Sequence, residues 1–365
     1  MRCLAPAGGF PSPLSVFKSI LDPELVATFE QQLITLFHNQ PISLCSSGKQ
    51  AIEIISQYLS AKGYKKLILG AYSCPDVVAA ALRGGLKVGL VDVNPRTLEP
   101  IFSNHNPNEE VLLLSNLYGL VDSISGLSQY KLIDDACQAA FSFDNELRIG
   151  SRGLGVLSFG RGKAICGIGG GAIVGFGETP EIFSEMLISL SRLFIYSILE
   201  HPSLYFIPAS LPFLKLGATY FEPDYKNELL SSGKIATAYT ALQGLDEEVA
   251  TRRVNQELWV QALDSKKVTM PLVERNRSSA VILTRFPILV PQNRDHIFTE
   301  LSKAGLGASL SYPSSLDSLC SGHVEGSGSL PGAKEVALQI ITLPTHRYVS
   351  KRDIEKASGI IEKYA

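Results

Sequence analysis

The chain has 365 residues, too many for one ordinary hydrophobic core, and 45% of them are hydrophobic against 19% charged, the proportions of a globular protein with a substantial interior. Its 33 basic and 35 acidic residues give a net charge of −2, so no overall electrostatic pull toward nucleic acid exists, and no basic run interleaved with aromatics reverses that. The six cysteines (Cys3, Cys45, Cys74, Cys137, Cys166, Cys320) lack CxxC spacing and no His/Cys cluster has ligand spacing, a pattern that argues against zinc and reads as reduced thiols in a cytoplasmic protein.

Along the chain, Met1–Pro6 lacks the long apolar core of a secretory signal, and the mature chain is read as starting there. Ser46-Ser47-Gly48-Lys49 precedes the helical period Ala51, Ile52, Ile55, Leu59; hydroxyls and backbone N–H groups at a helix start make a phosphate seat. Lys66–Leu69 reads as a buried strand. Ser73 reads as the cap of a helix with Pro75 in its first turn, continued by Val77–Leu82 and stopped by Gly84-Gly85. Further strands are expected at Val88–Val93, Val111–Leu114, Leu132-Ile133, Val156–Phe159 and Ala172–Val174. Apolar strands separated by helices predict an α/β fold whose mostly parallel sheet is covered on both faces, with ligands bound beyond the carboxyl ends of the strands.

Residues 180–216 form an apolar helical stretch ending in prolines, expected to pack on the core or at a subunit contact. The sharper alternative is a peripheral membrane contact, for which Arg192 alone does not make a basic face. No stretch reaches the ~18 uncharged apolar residues of a transmembrane segment. Residues 232–262 read as one long helix. A smaller α+β unit follows, with strands at Ala280–Thr284 and Ile288–Val290, a helix at Asp295–Ala304, a Ser/Gly-rich loop at Ser321–Gly332, a strand at Ile340–Leu343 and a helix at Lys351–Lys363. The expected division is a large α/β unit over residues 1–245 and a small C-terminal unit over 246–365. No internal repeat is evident.

The chemistry concentrates at strand ends. Lys163 closes Ser158-Phe159-Gly160-Arg161-Gly162-Lys163, just before the run Gly167–Gly171, whose small residues let a ligand approach the backbone. A lone lysine is by default a surface lysine; here a closed site and neighbouring positive charge are expected to lower its pKa. An earlier apolar strand ends in Ile133-Asp134-Asp135. A lysine amine, a carboxylate and a phosphate seat are the parts that hold pyridoxal phosphate: the amine condenses with the aldehyde and the carboxylate keeps the ring nitrogen protonated. Asp135 is the favoured ring partner and Asp134 the alternative should the register shift by one. Gln138 is placed to bond the cofactor's phenolic oxygen, and Ser158 to add a hydroxyl to the phosphate. A nucleotide-triphosphate loop is a poor match, because no glycine stands five positions before Gly48 and Gln50 replaces the required hydroxyl residue. His346 is expected to be structural rather than to line a substrate entrance.

From about residue 40 onward the chain resembles the DegT/StrS-type pyridoxal-phosphate aminotransferases. Ser47-Gly48-Lys49-Gln50-Ala51 is similar to that family's Ser-Gly-Thr-x-Ala turn, and Ala71-Tyr72-Ser73-Cys74-Pro75 to its Ala-Tyr-Thr-x-Pro. Val91–Leu98, Leu117-Tyr118-Gly119, Asp134–Gln138, Ser158–Lys163 and Ile341–His346 resemble its Val-Asp-Val-Asp-Pro-x-Thr, Leu-Tyr-Gly, Glu-Asp-Ala-Ala-Gln, Ser-Phe-x-x-x-Lys and Leu-Ser-Leu-Pro-x-His. The resemblance puts the ring contact on Asp135 and the covalent lysine on Lys163. Lys49 stands at the family's phosphate-turn threonine and Cys74 where an aromatic ring usually stacks on the cofactor. Asn227 matches an asparagine that reaches the neighbouring subunit's phosphate, and Leu229 replaces the arginine that follows it.

The resemblance implies the aspartate-aminotransferase fold (fold type I) and a homodimer with shared sites. It also implies transfer of nitrogen from an amino acid, glutamate, to a keto sugar linked to a nucleotide, in polysaccharide or secondary-metabolite synthesis. Related dehydratases carry histidine in place of the lysine, so Lys163 counts against elimination. A turnover-deficient cofactor-binding regulator is the third reading.

Overall fold

The computed structural model describes residues 2–177, 186–211, 217–263, 267–275, 280–326 and 328–365. Two helices open the chain, α1 (Pro13–Ile20) and α2 (Leu25–Leu36), followed by β1 (Ile42–Cys45) and α3 (Gly48–Ala61). Then come β2 (Lys66–Gly70), α4 (Pro75–Arg83), β3 (Lys87–Val91), β4 (Glu110–Leu114) and β5 (Lys131–Asp135). A short hairpin of β6 (Phe143–Asp144) and β7 (Leu147–Arg148) leads to β8 (Leu154–Ser158) and β9 (Gly171–Val174). With β11 (Glu325–Gly326) these form one eight-stranded sheet in the order β1-β9-β8-β5-β4-β2-β3-β11. The hairpin pair stands outside it. β9 is antiparallel to both β1 and β8, and every other pairing is parallel.

The alternation of strand side chains between faces explains the double burial. Leu67 and Leu69 of β2 join the main core, whereas Ile68, with Val91, Leu112, Leu114 and Leu132, joins a second cluster on the opposite face. That is the pattern of a parallel sheet covered on both sides.

The rest is mainly helical: α5 (Met186–Leu199), α6 (Phe206–Ala209), α7 (Ser232–Gln243), α8 (Leu245–Leu263) and α9 (Pro271–Glu274). A small antiparallel pair, β10 (Arg285–Leu289) and β12 (Ile340–Pro344), carries α10 (Arg294–Lys303), α11 (Leu316–Leu319), α12 (Pro331–Gln339) and α13 (Lys351–Tyr364). Among the described residues no helix is long and apolar enough to cross a membrane. Of the 180–216 stretch, 180–185 and 212–216 lie outside the described residues; α5 within it exposes Phe194, Ile195 and Ile198.

Four expectations need correction. The single helix over 232–262 is two, because Gly244 ends α7 and α8 starts beside it. Ala280–Thr284 is not a strand: Ile282 N–H donates to Ser142 Oγ, Leu283 N–H to Gln256 Oε1 and Thr284 N–H to Tyr118 O, so the segment bonds to loops and side chains, not to a ladder. The loop over 321–332 contains the two-residue edge strand β11 and the start of α12. Cys74, not Ser73, is the cap residue of α4; the Ser73 hydroxyl is engaged 2.9 Å away by Ser115 Oγ.

Candidate active site

The ends of β1, β2, β4, β5 and β8 share one edge of the sheet, and a cavity of about 380 Å³ opens there. Ser47, Gly48, Lys49, Cys74, Asp135, Gln138, Ser158, Lys163 and Asn227 all line it. The structure therefore brings these nine residues to one place.

Strand alternation turns the two aspartates to opposite sides of the sheet edge. Asp134 points away from the cavity, fully buried, where Arg152 Nη2 donates to it at 2.7 Å, Gly150 N–H at 2.6 Å and Asn116 Nδ2 at 2.9 Å. Asp135 faces the cavity, and the Cys137 N–H donates to its Oδ1 at 2.9 Å. Burial pushes the Asp135 carboxyl above its ordinary value; the Cys137 N–H and the Lys163 charge pull it partly back.

Lys163 sits in the turn after β8. Burial pulls its amine down, but Cys137, Cys74, Asp135 and Asp76 around it outweigh burial and leave it above its ordinary value. The expectation of a lowered pKa is thus reversed, because the neighbours that decide it are acidic and not cationic. The thiols of Cys74 and Cys137 are themselves raised by burial.

The phosphate seat is the start of α3. Ser47 caps it, its Oγ accepting from Gln50 N–H at 3.1 Å, while Ala51 N–H bonds Ser47 O. The Gly48 and Lys49 N–H groups at this end have no protein acceptor among the described residues. Gly48 itself is a cradle: a Cβ there would stand 2.9 Å from both Cys137 Sγ and Ser158 Cβ. Lys49 does not turn its charge to this seat. Its Nζ lies 2.6 Å from Asp76 and 4.3 Å above the Tyr225 ring. The run Gly167–Gly171 has a different use from the one expected, since none of it lines the cavity. At Gly171 a Cβ would meet Ser47 C at 2.6 Å and Gly48 N at 2.8 Å, so this glycine lets the start of α3 rest on the sheet.

Gln138 is held at both ends of its amide: Oε1 accepts from Tyr118 N–H and Nε2 donates to Tyr312 Oη at 3.2 Å. Asn227 lines the cavity of its own chain, its Nδ2 donating to Glu53 at 2.9 Å, whereas the resemblance sends it to a neighbouring subunit. His346 is fully buried, donating from Nε2 to Ala5 O at 2.9 Å, and burial takes its imidazole down to about 4.

Sequence reasoning missed the tyrosines. Asn116, Tyr118 and Tyr312 all adopt positive φ (42°, 63° and 52°), uncommon for residues with a Cβ, and the two tyrosines line a neighbouring cavity. Tyr72 Oη and Tyr118 Oη are 2.9 Å apart. The Leu117-Tyr118-Gly119 motif was the available signal; Tyr312 gave none.

Residues 18–187 and 227–362 match the DegT/DnrJ/EryC1/StrS aminotransferase family. The chain belongs to that family. Its solved structural relatives include DesV of S. venezuelae with a ketimine intermediate, at 18% identity, TM-score 0.71 and coverage of 96% of this chain and 94% of that one. DesI in the presence of its TDP-sugar product gives 16% identity and TM-score 0.74, over 99% and 92% of the two chains. The E. coli GDP-4-keto-6-deoxy-D-mannose-3-dehydratase with hydrated PLP gives 18% identity and TM-score 0.73, over 99% and 100%. No curated protein matches the sequence. The family depends on pyridoxal phosphate, and the groups on this cavity fit it: the Ser47 hydroxyl and two N–H groups at the start of α3, the Ser158 hydroxyl at the end of β8, a buried carboxylate to accept from a ring N–H, and an amine.

Proposed function

We propose that the chain is an aminotransferase that moves an amino group from an amino acid, glutamate, to a keto sugar carried on a nucleotide. The observation that carries this reading is the placement of Lys163 and Asp135 on one cavity with the start of α3. The relatives named for TDP-sugar and GDP-keto-sugar chemistry support the acceptor class.

When bound, pyridoxal phosphate supplies an aldehyde carbon and a ring that accepts electrons from the substrate's α-carbon. Lys163 Nζ would anchor that carbon and, once released, carry a proton to and from the α-carbon. Asp135 would hold the proton on the ring nitrogen. The Ser47 and Ser158 hydroxyls with the Gly48 and Lys49 N–H groups would hold the phosphate. Gln138 keeps one amide N–H beyond its bond to Tyr312 for the phenolic oxygen.

A homodimer working in the cytoplasm belongs to the same reading; all six free cysteines fit a reducing compartment, and sedimentation tests the dimer. Elimination chemistry is disfavoured by the lysine at position 163. The protein with added cofactor is expected to develop visible absorbance that Lys163→Ala lacks, with turnover in that variant lower by about 10²–10⁴-fold from the lost proton transfer alone. Label from ¹⁵N-glutamate should appear in the sugar product. Absorbance that persists unchanged in Lys163→Ala, or never develops in the wild type, would sink the reading.

A further inference from the structure

A second cavity, of about 170 Å³, adjoins the first and shares Lys163 and Gln138 with it. Arg285, at the start of β10, lines it with Ser309, Ser311 and Tyr312, and Arg161 stands at its exposed rim. The Arg285 guanidinium reaches the turn that carries Lys163: a Cβ on Gly162 would lie 3.9 Å from Nη2. Its Nη1 donates to Ser311 Oγ at 3.0 Å. Among the described residues it forms no ion pair, and the polar groups around it are the phenols of Tyr118, Tyr205 and Tyr312 and a second cation, Arg252.

That is an unusual setting for a guanidinium. Removing a cation from water is costly unless an anion is beside it, and three other sheltered arginines have theirs. Arg152 lies 2.7 Å from Asp134, Arg252 2.7 Å from Glu248 and Arg275 3.2 Å from Asp122. Arg285 alone among these four is left with neutral hydroxyls, and it opens onto a cavity and not into the core. A planar guanidinium with free N–H groups suits the two oxygens of a carboxylate or phosphate. The Tyr312 hydroxyl accepts from Gln138 Nε2 and bonds in turn to the Cys74 thiol, so it lines the cavity without a free proton.

We propose that Arg285, with Ser311 beside it, binds an oxyanion group, carboxylate or phosphate, on the molecule that reacts at Lys163. The identity of that molecule rests on the aminotransferase reading; the anion site itself does not. The two sources are the carboxylate of the amino-acid donor and the phosphate of the nucleotide sugar.

Calorimetric titration of the full chain with 2-oxoglutarate and, separately, with inorganic pyrophosphate tests this without turnover. One probe is expected to bind the wild type, and Arg285→Gln to weaken it by roughly 10–100-fold, the loss of a charged hydrogen-bond donor. Arg285→Lys should restore part of the affinity, and Ser311→Ala should weaken the same probe by a smaller factor, which keeps the test open if Arg285→Gln folds poorly. Loss confined to 2-oxoglutarate assigns the donor carboxylate; loss confined to pyrophosphate assigns the sugar's phosphate. Equal affinities in wild type and in variants that fold normally, or no binding of either probe to the wild type, overturn the proposal. Because the Lys163→Ala absorbance is measured independently, failure here leaves the aminotransferase reading standing, and failure there leaves this site testable.

Discussion

Adjacent aspartates in one strand carry opposite consequences for the molecule. Asp134 belongs to an ion pair in which both side chains are wholly buried, so removing it leaves the interior Arg152 charge with Asp144, 3.1 Å away and partly exposed, as its remaining carboxylate. Asp134→Ala is therefore expected to lower unfolding stability by about 3–5 kcal/mol. The Asp135 carboxyl is bonded only by Cys137, through its N–H and its thiol, among the described residues, and its burial already disfavours the charged form. Asp135→Ala should cost no more than about 1 kcal/mol of stability while changing the absorbance of the bound cofactor. Urea denaturation and visible spectra of the two variants separate the roles; a large stability loss at Asp135 with unaltered spectra would contradict them. The carboxylate and Lys163 were legible in the sequence because each ends an apolar run, and strand ends on one sheet edge converge whatever the details of packing. Tyr312 and Arg285 were not, because one lies in the loop before α11 and the other starts the second sheet, and both meet the cavities only through tertiary docking.

Elements were legible where one local signal dominated. The buried strands appeared as apolar runs, and Gly84 stopped α4 as expected. Errors arose where tertiary partners overruled pattern: Val281–Thr284 is apolar and extended like a strand, yet its N–H groups are taken by Tyr118 O, Ser142 Oγ and Gln256 Oε1. The glycine run before β9 likewise serves contact between elements. Gly171 pairs with Cys45 on one side and Ser158 on the other, directly under the first turn of α3. A methyl group there would press on Ser47 C, Leu157 O and Gly48 N, all backbone atoms at 2.6–2.8 Å. Gly171→Ala is expected to cost about 3 kcal/mol, at the upper end of overpacking, and to lift the phosphate seat from the sheet. Urea denaturation should show the first effect and weaker cofactor binding the second.

At the scale of the whole molecule, the segment before α1 ties distant parts of the chain together. Cys3 N–H bonds Pro202 O, Leu4 N–H bonds Gly305 O, Arg252 Nη2 donates to Gly8 O, and Gly9 N–H donates to Glu200. Ala7 packs so closely on Gly162 that a Cβ there would meet it at 2.7 Å, which links the segment to the turn bearing Lys163. Ala5 O accepts the His346 Nε2 proton, and the ring has no contact with water. Burial therefore keeps His346 neutral down to about 4, against an ordinary 6.5. Because the folded value lies below the unfolded one, the unfolded chain binds the extra proton first. This contribution to stability is complete above pH 6.5 and is lost as pH falls toward 4, reaching roughly 3 kcal/mol at about 1.4 kcal/mol per pH unit. Deleting residues 2–9 should open the ring to water and return its titration toward 6.5, as read by imidazole NMR. In urea denaturation the truncated chain should be less stable at pH 7 yet lose less further stability between pH 6.5 and 4 than the intact one. An imidazole that still titrates near 4 after the deletion would show that its burial comes from elsewhere, and the tie between the segment and His346 would be wrong.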